Sequence, residues 1–160
     1  MLLITILYDA TGEKSIAPVG LVYCGQTEWG YSVENRERQI VVFLCANCWD
    51  GSNSGADITR TGPDSFNLAQ IGTYQVLFQV SVTEAGQLIL TLNGEDLEYT
   101  VAGRATGASQ IVGMAIVTTT AINSVLTVRN PAGNAAALTI TTVAGGPRSV
   151  SAHLVITQIQ

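Results

Sequence analysis

At 160 residues the chain has the length of one domain, enough to bury roughly 70% of its unfolded surface without disulfide or metal staples. Apolar residues make up 47% and charged residues 12%, against a usual charged share of ~25%. The net charge of −5 excludes nucleic acid and anionic lipid as partners, because their phosphates need clustered Lys and Arg.

Charge is also unevenly placed. Every Asp and Glu lies at or before Glu98; from Tyr99 to Gln160 the formal charges are Arg104, Arg129 and Arg148, with His153 able to join them. A segment so poor in charge invites insolubility unless partners remove its surface from water, or Thr, Ser, Asn and Gln solvate it. Eighteen threonines against the single Lys14 favour sheet over helix.

In chain order, MLLITILY has a short apolar run without a basic leader, and Asp9 ends it too soon for a signal peptide or a membrane span. Leu2–Tyr8 therefore reads as a strand or an ordered tail. Val19–Cys24 and Ile40–Cys45 follow as strands, separated by the polar VENRERQ of Val33–Gln39, which reads as a loop or a single turn. Trp49–Gly62, WDGSNSGADITRTG, reads as a long polar loop.

Strands then recur at Ser65–Ala69, Thr73–Thr83, Gln87–Asn93, Glu98–Ala102, Gln110–Thr120, Ser124–Arg129, Ala137–Val143 and Val150–Gln158. The turns between them carry Asn93-Gly94, Asn130-Pro131 and Gly145-Gly146-Pro147. Short strands without helices imply an all-β sandwich or barrel.

Three strands share a peculiarity. In Thr73–Thr83 one face is Tyr74, Val76, Phe78, Val80 and Val82; the other is Thr73, Gln75, Leu77, Gln79 and Ser81, with no charge at all. Gln110–Thr120 sets Ile111, Gly113, Ala115 and Val117 against Val112, Met114 and Ile116. Val150–Gln158 sets Val150, Ala152, Leu154 and Ile156 against Val155. An antiparallel sheet of a monomer usually keeps one face wet, so these strands predict a sheet buried on both sides.

The stretch SFNLAQIGTYQVLFQV, with Phe66, Gly72 and Tyr74 at spacings of six and two, resembles the centre of the globular heads of complement and tumour necrosis factor-like proteins. GQLILTLNGED and the later strands follow in matching order. The low-charge, Thr/Ala/Val-rich texture is most similar to the C-terminal domains of Bacillus and Clostridium collagen-like glycoproteins of the spore surface (BclA-type).

The resemblance covers Ile40–Ile159 and Ala17–Cys24, which sets the domain at residues 17–160 and leaves residues 1–16 outside as a strand or tail. It implies a ten-stranded antiparallel jelly roll whose inner sheet packs against two copies of itself around a threefold axis. Gln75, Leu77, Gln79, Val112, Met114 and Val155 would then form the trimer interface, while Tyr74, Val76 and Phe78 fill the protomer. The implied role is a non-enzymatic structural or display module without cofactor or metal, a homotrimer on a spore outer layer. Its partners would be itself and other surface-layer proteins or glycans. The alternative is a trimeric head that binds a receptor or glycan, as on a phage fibre or lectin.

Other residues carry weaker chemistry. Cys45 and Cys48 form a Cys-x-x-Cys, but a redox pair needs a helix N-terminus to lower a thiolate pKa, and here a strand runs into a loop. Zinc would need Cys24, Cys45, Cys48 and His153 to converge from distant strands. A disulfide from Cys24 to Cys45 or Cys48 fits better and leaves one thiol for cross-linking; buried or free cysteines are the plain alternative. Asp50, Asp57 and Asp64 lack a calcium-ligand spacing, and Ala144-Gly145-Gly146-Pro147 precedes no helix that would cradle phosphate. Trp29, Tyr31 and Trp49 are candidates for stacking on sugar rings.

Overall fold

The computed structural model describes residues 7–8, 14–15, 19–25, 34–35, 38–39, 48–53, 56–62, 64–105, 107–134, 138–140 and 150–160. The expected strand at Ile40–Cys45, together with Trp29, Tyr31, Cys45 and the Gly145-Gly146-Pro147 turn, lies outside them.

The first elements are the pair β1 (Leu7–Tyr8) and β2 (Lys14–Ser15), then β3 (Val19–Gly25). A second small hairpin, β4 (Glu34–Asn35) and β5 (Arg38–Gln39), occupies the polar VENRERQ stretch, where a loop or turn was expected. Next come β6 (Cys48–Asn53), β7 (Ile58–Arg60), β8 (Phe66–Leu68), β9 (Thr73–Val82), β10 (Gly86–Leu92) and β11 (Glu95–Asp96). After a 3-10 turn at Glu98–Thr100 follow β12 (Ala102–Arg104), β13 (Ser109–Thr118), β14 (Ser124–Arg129) and β15 (Val150–Gln158). Among the described residues no α-helix forms.

Two antiparallel sheets face each other. One runs β13-β9-β15-β3-β6. The other runs β11-β10-β14-β8-β7, with β12 also paired to β10. The core between them takes Tyr74, Val76, Phe78, Val80, Ile111, Val117, Leu154 and Ile156 from the first sheet, and Ile58, Phe66, Leu68, Leu88, Leu90, Leu126 and Val128 from the second. Each such side chain, fully buried, stabilises the fold by roughly 1.5–3 kcal/mol relative to exposure. The alternation read in β9, β13 and β15 is thus the alternation of one layer whose inner side is core.

Local chemistry closes the corners. Asn93 and Gly94 both have positive φ, 52° and 86°, the geometry of a two-residue hairpin turn, and they join Leu92 to its partner Glu95. Gly72 is required by space. The backbone turns under the C-terminal strand there, Thr73 N–H donates to Gln160 O at 2.8 Å, and a Cβ on Gly72 would lie 2.3 Å from that oxygen. Two residues on, the buried Tyr74 donates its hydroxyl to Gln70 O at 2.8 Å. The Phe66–Gly72–Tyr74 spacing therefore marks a strand end, a close crossing and a core anchor.

Two further expectations need correction. Trp49–Gly62 is not a loop throughout, since β6 pairs with β3 and β7 pairs with β8. Among the described residues both are end strands of their sheets, where polar residues are tolerated on the water side. Glu98–Ala102 is not one strand. Thr100 Oγ1 donates to Leu97 O at 2.7 Å and accepts Leu90 N–H at 2.9 Å, so a side chain takes the ladder's place and strand pairing begins only at Ala102. Among the described residues the two large sheets hold five and six strands, several of them two or three residues long.

Candidate functional site

The outward face of the five-stranded sheet can be followed row by row from its register. Val112, Gln79, His153, Tyr23 and Trp49 lie opposite one another across β13, β9, β15, β3 and β6. The next row is Met114, Leu77, Val155 and Leu21; the row after it is Ile116, Gln75, Thr157 and Val19. Residues directly opposite in an antiparallel pair share a face. All six residues expected at an interface, Gln75, Leu77, Gln79, Val112, Met114 and Val155, therefore lie in three adjoining rows of a single face.

The face is most open along its edge strand. Val112 is 54% exposed, Met114 65% and Ile116 49%, whereas Gln75, Leu77, Gln79 and Val155 are half-buried by their neighbours. One polar contact holds the rows together, from Gln75 Nε2 to Met114 Sδ at 3.2 Å. Beyond the edge, Tyr99 is 67% exposed and donates its hydroxyl to Ile116 O at 3.0 Å, which carries the apolar patch past β13.

This surface is electrostatically bare. Among its described side chains His153 alone titrates near neutrality, and burial pushes its imidazole below the ordinary value of 6.5. A face that presents valine, methionine and isoleucine with no charge beside them is suited to another apolar surface and poorly suited to water.

Gly113 is required by the core beneath this strand. It lies opposite Phe78, and a Cβ there would stand 2.2 Å from the Phe78 ring. The ring fills the space on the inner side of the strand, opposite the outer face where Val112 and Met114 are exposed.

Tyr99 and Ile116 belong to the patch but were not among the expected interface residues. Ile116 follows the same alternation as Val112 and Met114 and was legible from it. Tyr99 was not, because its segment is a 3-10 turn that only the fold brings against β13.

The other candidate residues are not gathered. His153 pairs with Tyr23, the residue next to Cys24. Among the described residues no three His, Cys, Asp or Glu side chains come together to hold a metal ion. Asp57 accepts from Gln70 Nε2 at 3.2 Å, whereas Asp64 accepts from Ser65 Oγ at 2.8 Å and pairs with Arg129 at 3.7 Å. Asp50 is a strand residue of β6, opposite Val22. Asp57 and Asp64 thus serve separate partners, and among the described residues no group of carboxylates gathers to hold a metal ion. Trp49 sits on β6 opposite Tyr23, and Cys48 opposite Cys24.

No protein-family model and no curated protein matches the sequence. Solved structures do match. The crystal structure of murine APRIL at pH 8.5 aligns with a TM-score of 0.59 at 15% identity, covering 90% of this chain and 100% of that one. The globular domain of zebrafish complement 1qA protein aligns with a TM-score of 0.58 at 16% identity, over 89% of this chain and 98% of that one. At such identity the likeness is one of fold. The chain is built as a jelly roll of the tumour necrosis factor-like and complement globular-head type.

Proposed function

We propose that the protein is a non-enzymatic structural module that self-associates into a homotrimer through the outward face of its five-stranded sheet, and that it decorates the outer layer of a bacterial spore. The observation that carries the reading is the adjoining rows of Val112, Met114 and Ile116 on β13 with Leu77 and Val155, uncharged and open on the edge strand. A closed cyclic assembly buries the same patch on every copy, and obligate interfaces reach about 2,000 Å² or more and are apolar. Threefold order is what the family resemblance implies, and the texture of the chain supports the spore surface. No helix of the described residues is long and apolar enough to cross a membrane.

Light scattering coupled to size exclusion tests the assembly. The expected particle has three times the 16.8 kDa of one chain, at micromolar concentration and neutral pH. A 16.8 kDa particle across that range overturns the reading. Antibody labelling of intact spores, absent from vegetative cells, tests the location separately.

A further inference from the structure

Among the described residues β6 is an end strand of the five-stranded sheet and pairs with β3. Its sequence, CWDGSN, is polar after Trp49. The register of that ladder places Cys24 opposite Cys48, with Tyr23 opposite Trp49 and Val22 opposite Asp50.

Opposed residues of an antiparallel pair have Cα atoms about 4.5–5.5 Å apart and share a face of the sheet. Disulfides span Cα separations of about 4.4–6.8 Å, so the register meets that requirement without backbone movement. Of the Cys-x-x-Cys motif, Cys48 enters the ladder opposite Cys24.

We infer that Cys24 and Cys48 form an intrachain cross-strand disulfide that staples the edge strand β6 to β3. The linkage rests on the register of β3 and β6 and holds whether the protein is a monomer or a trimer. It closes the chain between positions 24 and 48 into a covalent loop, which restricts the unfolded ensemble and fixes the sheet edge. Formation is a two-electron oxidation. One thiolate attacks a low-molecular-weight disulfide, giving a mixed disulfide and releasing one thiol. The second cysteine thiolate displaces the other half, so two thiols leave as the protein S–S bond forms. An oxidising exterior supplies such disulfides.

The test uses the full chain purified without reductant, incubated with oxidised glutathione at mildly alkaline pH, then denatured and alkylated with N-ethylmaleimide. Alkylation is expected at one thiol per chain, against three after reduction. In Cys45→Ser the intact mass should be about 2 Da below that of the reduced chain, the two hydrogens lost on forming the bond. That variant should have no alkylated thiol, run as a single chain on a non-reducing gel, and melt higher oxidised than reduced. In Cys48→Ser both remaining thiols should stay alkylatable. Three alkylated thiols after oxidation would overturn the inference. So would an intrachain bond that persists in Cys48→Ser, which would assign Cys24 to Cys45, or Cys45→Ser chains linked to one another.

Discussion

The two sheets turn different chemistry outward. On the six-stranded sheet the outward residues satisfy one another. Thr91 and Thr127 share a hydroxyl–hydroxyl hydrogen bond of 2.6 Å; Arg129 Nε donates to Thr127 Oγ1 at 2.8 Å and its guanidinium also reaches Asp64. Asn67 Nδ2 donates to Asn123 Oδ1 at 3.3 Å, and Val125 N–H is received by Asn93 Oδ1 at 2.8 Å. On the five-stranded sheet the corresponding positions are Val112, Met114, Ile116, Leu77 and Val155, with a glutamine–methionine contact as their polar link. One sheet thus pairs its outer hydroxyls and amides with one another, with Val125 exposed among them, and the other presents exposed carbon along its end strand β13. The contrast teaches that outer polar residues of a strand can satisfy one another, buried as Thr91 and Thr127 are, whereas exposed methyl groups call for a second surface.

The largest effect should come from putting charge on the bare face. Met114→Glu places one carboxylate per copy in the proposed interface, where an uncompensated buried charge costs on the order of 3–5 kcal/mol. The variant is expected to give a 16.8 kDa particle by light scattering while its far-UV circular dichroism keeps the strand signature. A variant that retains the wild-type trimer mass would show that this face is not the contact.

The converse substitution on the satisfied face should leave assembly alone. Thr127→Val keeps the side-chain shape but removes the partner of the fully buried Thr91 hydroxyl, a loss of about 1–3 kcal/mol in urea unfolding with no change in particle mass. Dissociation of this variant would erase the distinction between the two faces.

The smallest effect concerns His153. Because burial holds its folded pKa below the ordinary 6.5, the unfolded chain takes up the proton first as pH falls. Stability is therefore full above about pH 6.5 and declines below it until the folded imidazole protonates as well. His153→Gln should flatten that decline in thermal melts between pH 7.5 and 5. Glu84 acts in a separate, more acidic window. Burial raises its pKa, but hydrogen bonds from the Thr83 hydroxyl and the Thr139 N–H outweigh that and hold it below the ordinary 4.5. An unchanged slope in His153→Gln would mean the imidazole is not what senses the fall in pH.

Much of the layer structure was legible before any coordinates. The two-residue period of Thr73–Val82 and Ser109–Thr118 separates core from outer face residue by residue, because successive strand side chains must point to opposite sides. Asn93-Gly94 announced its hairpin for an equally local reason, the tolerance of both residues for positive φ. The edge strands Cys48–Asn53 and Ile58–Arg60 were not legible. An edge strand is held by ladder hydrogen bonds along one side, and those bonds leave no mark on composition. The 3-10 turn at Glu98–Thr100 was missed because its cause is the Thr100 hydroxyl meeting Leu90 N–H, ten residues back in the chain.

The amino-acid sequence by itself determined an all-β chain with one charge-free strand face, since alternation and side-chain polarity are local properties. Only the tertiary structure decided that Val112, Leu77 and Val155 adjoin, that Tyr99 extends them, and that Cys24 stands opposite Cys48. Those facts depend on strand register and on which strands become neighbours. Register is settled by packing both sheets against one core, as when the Phe78 ring leaves room for nothing larger than Gly113.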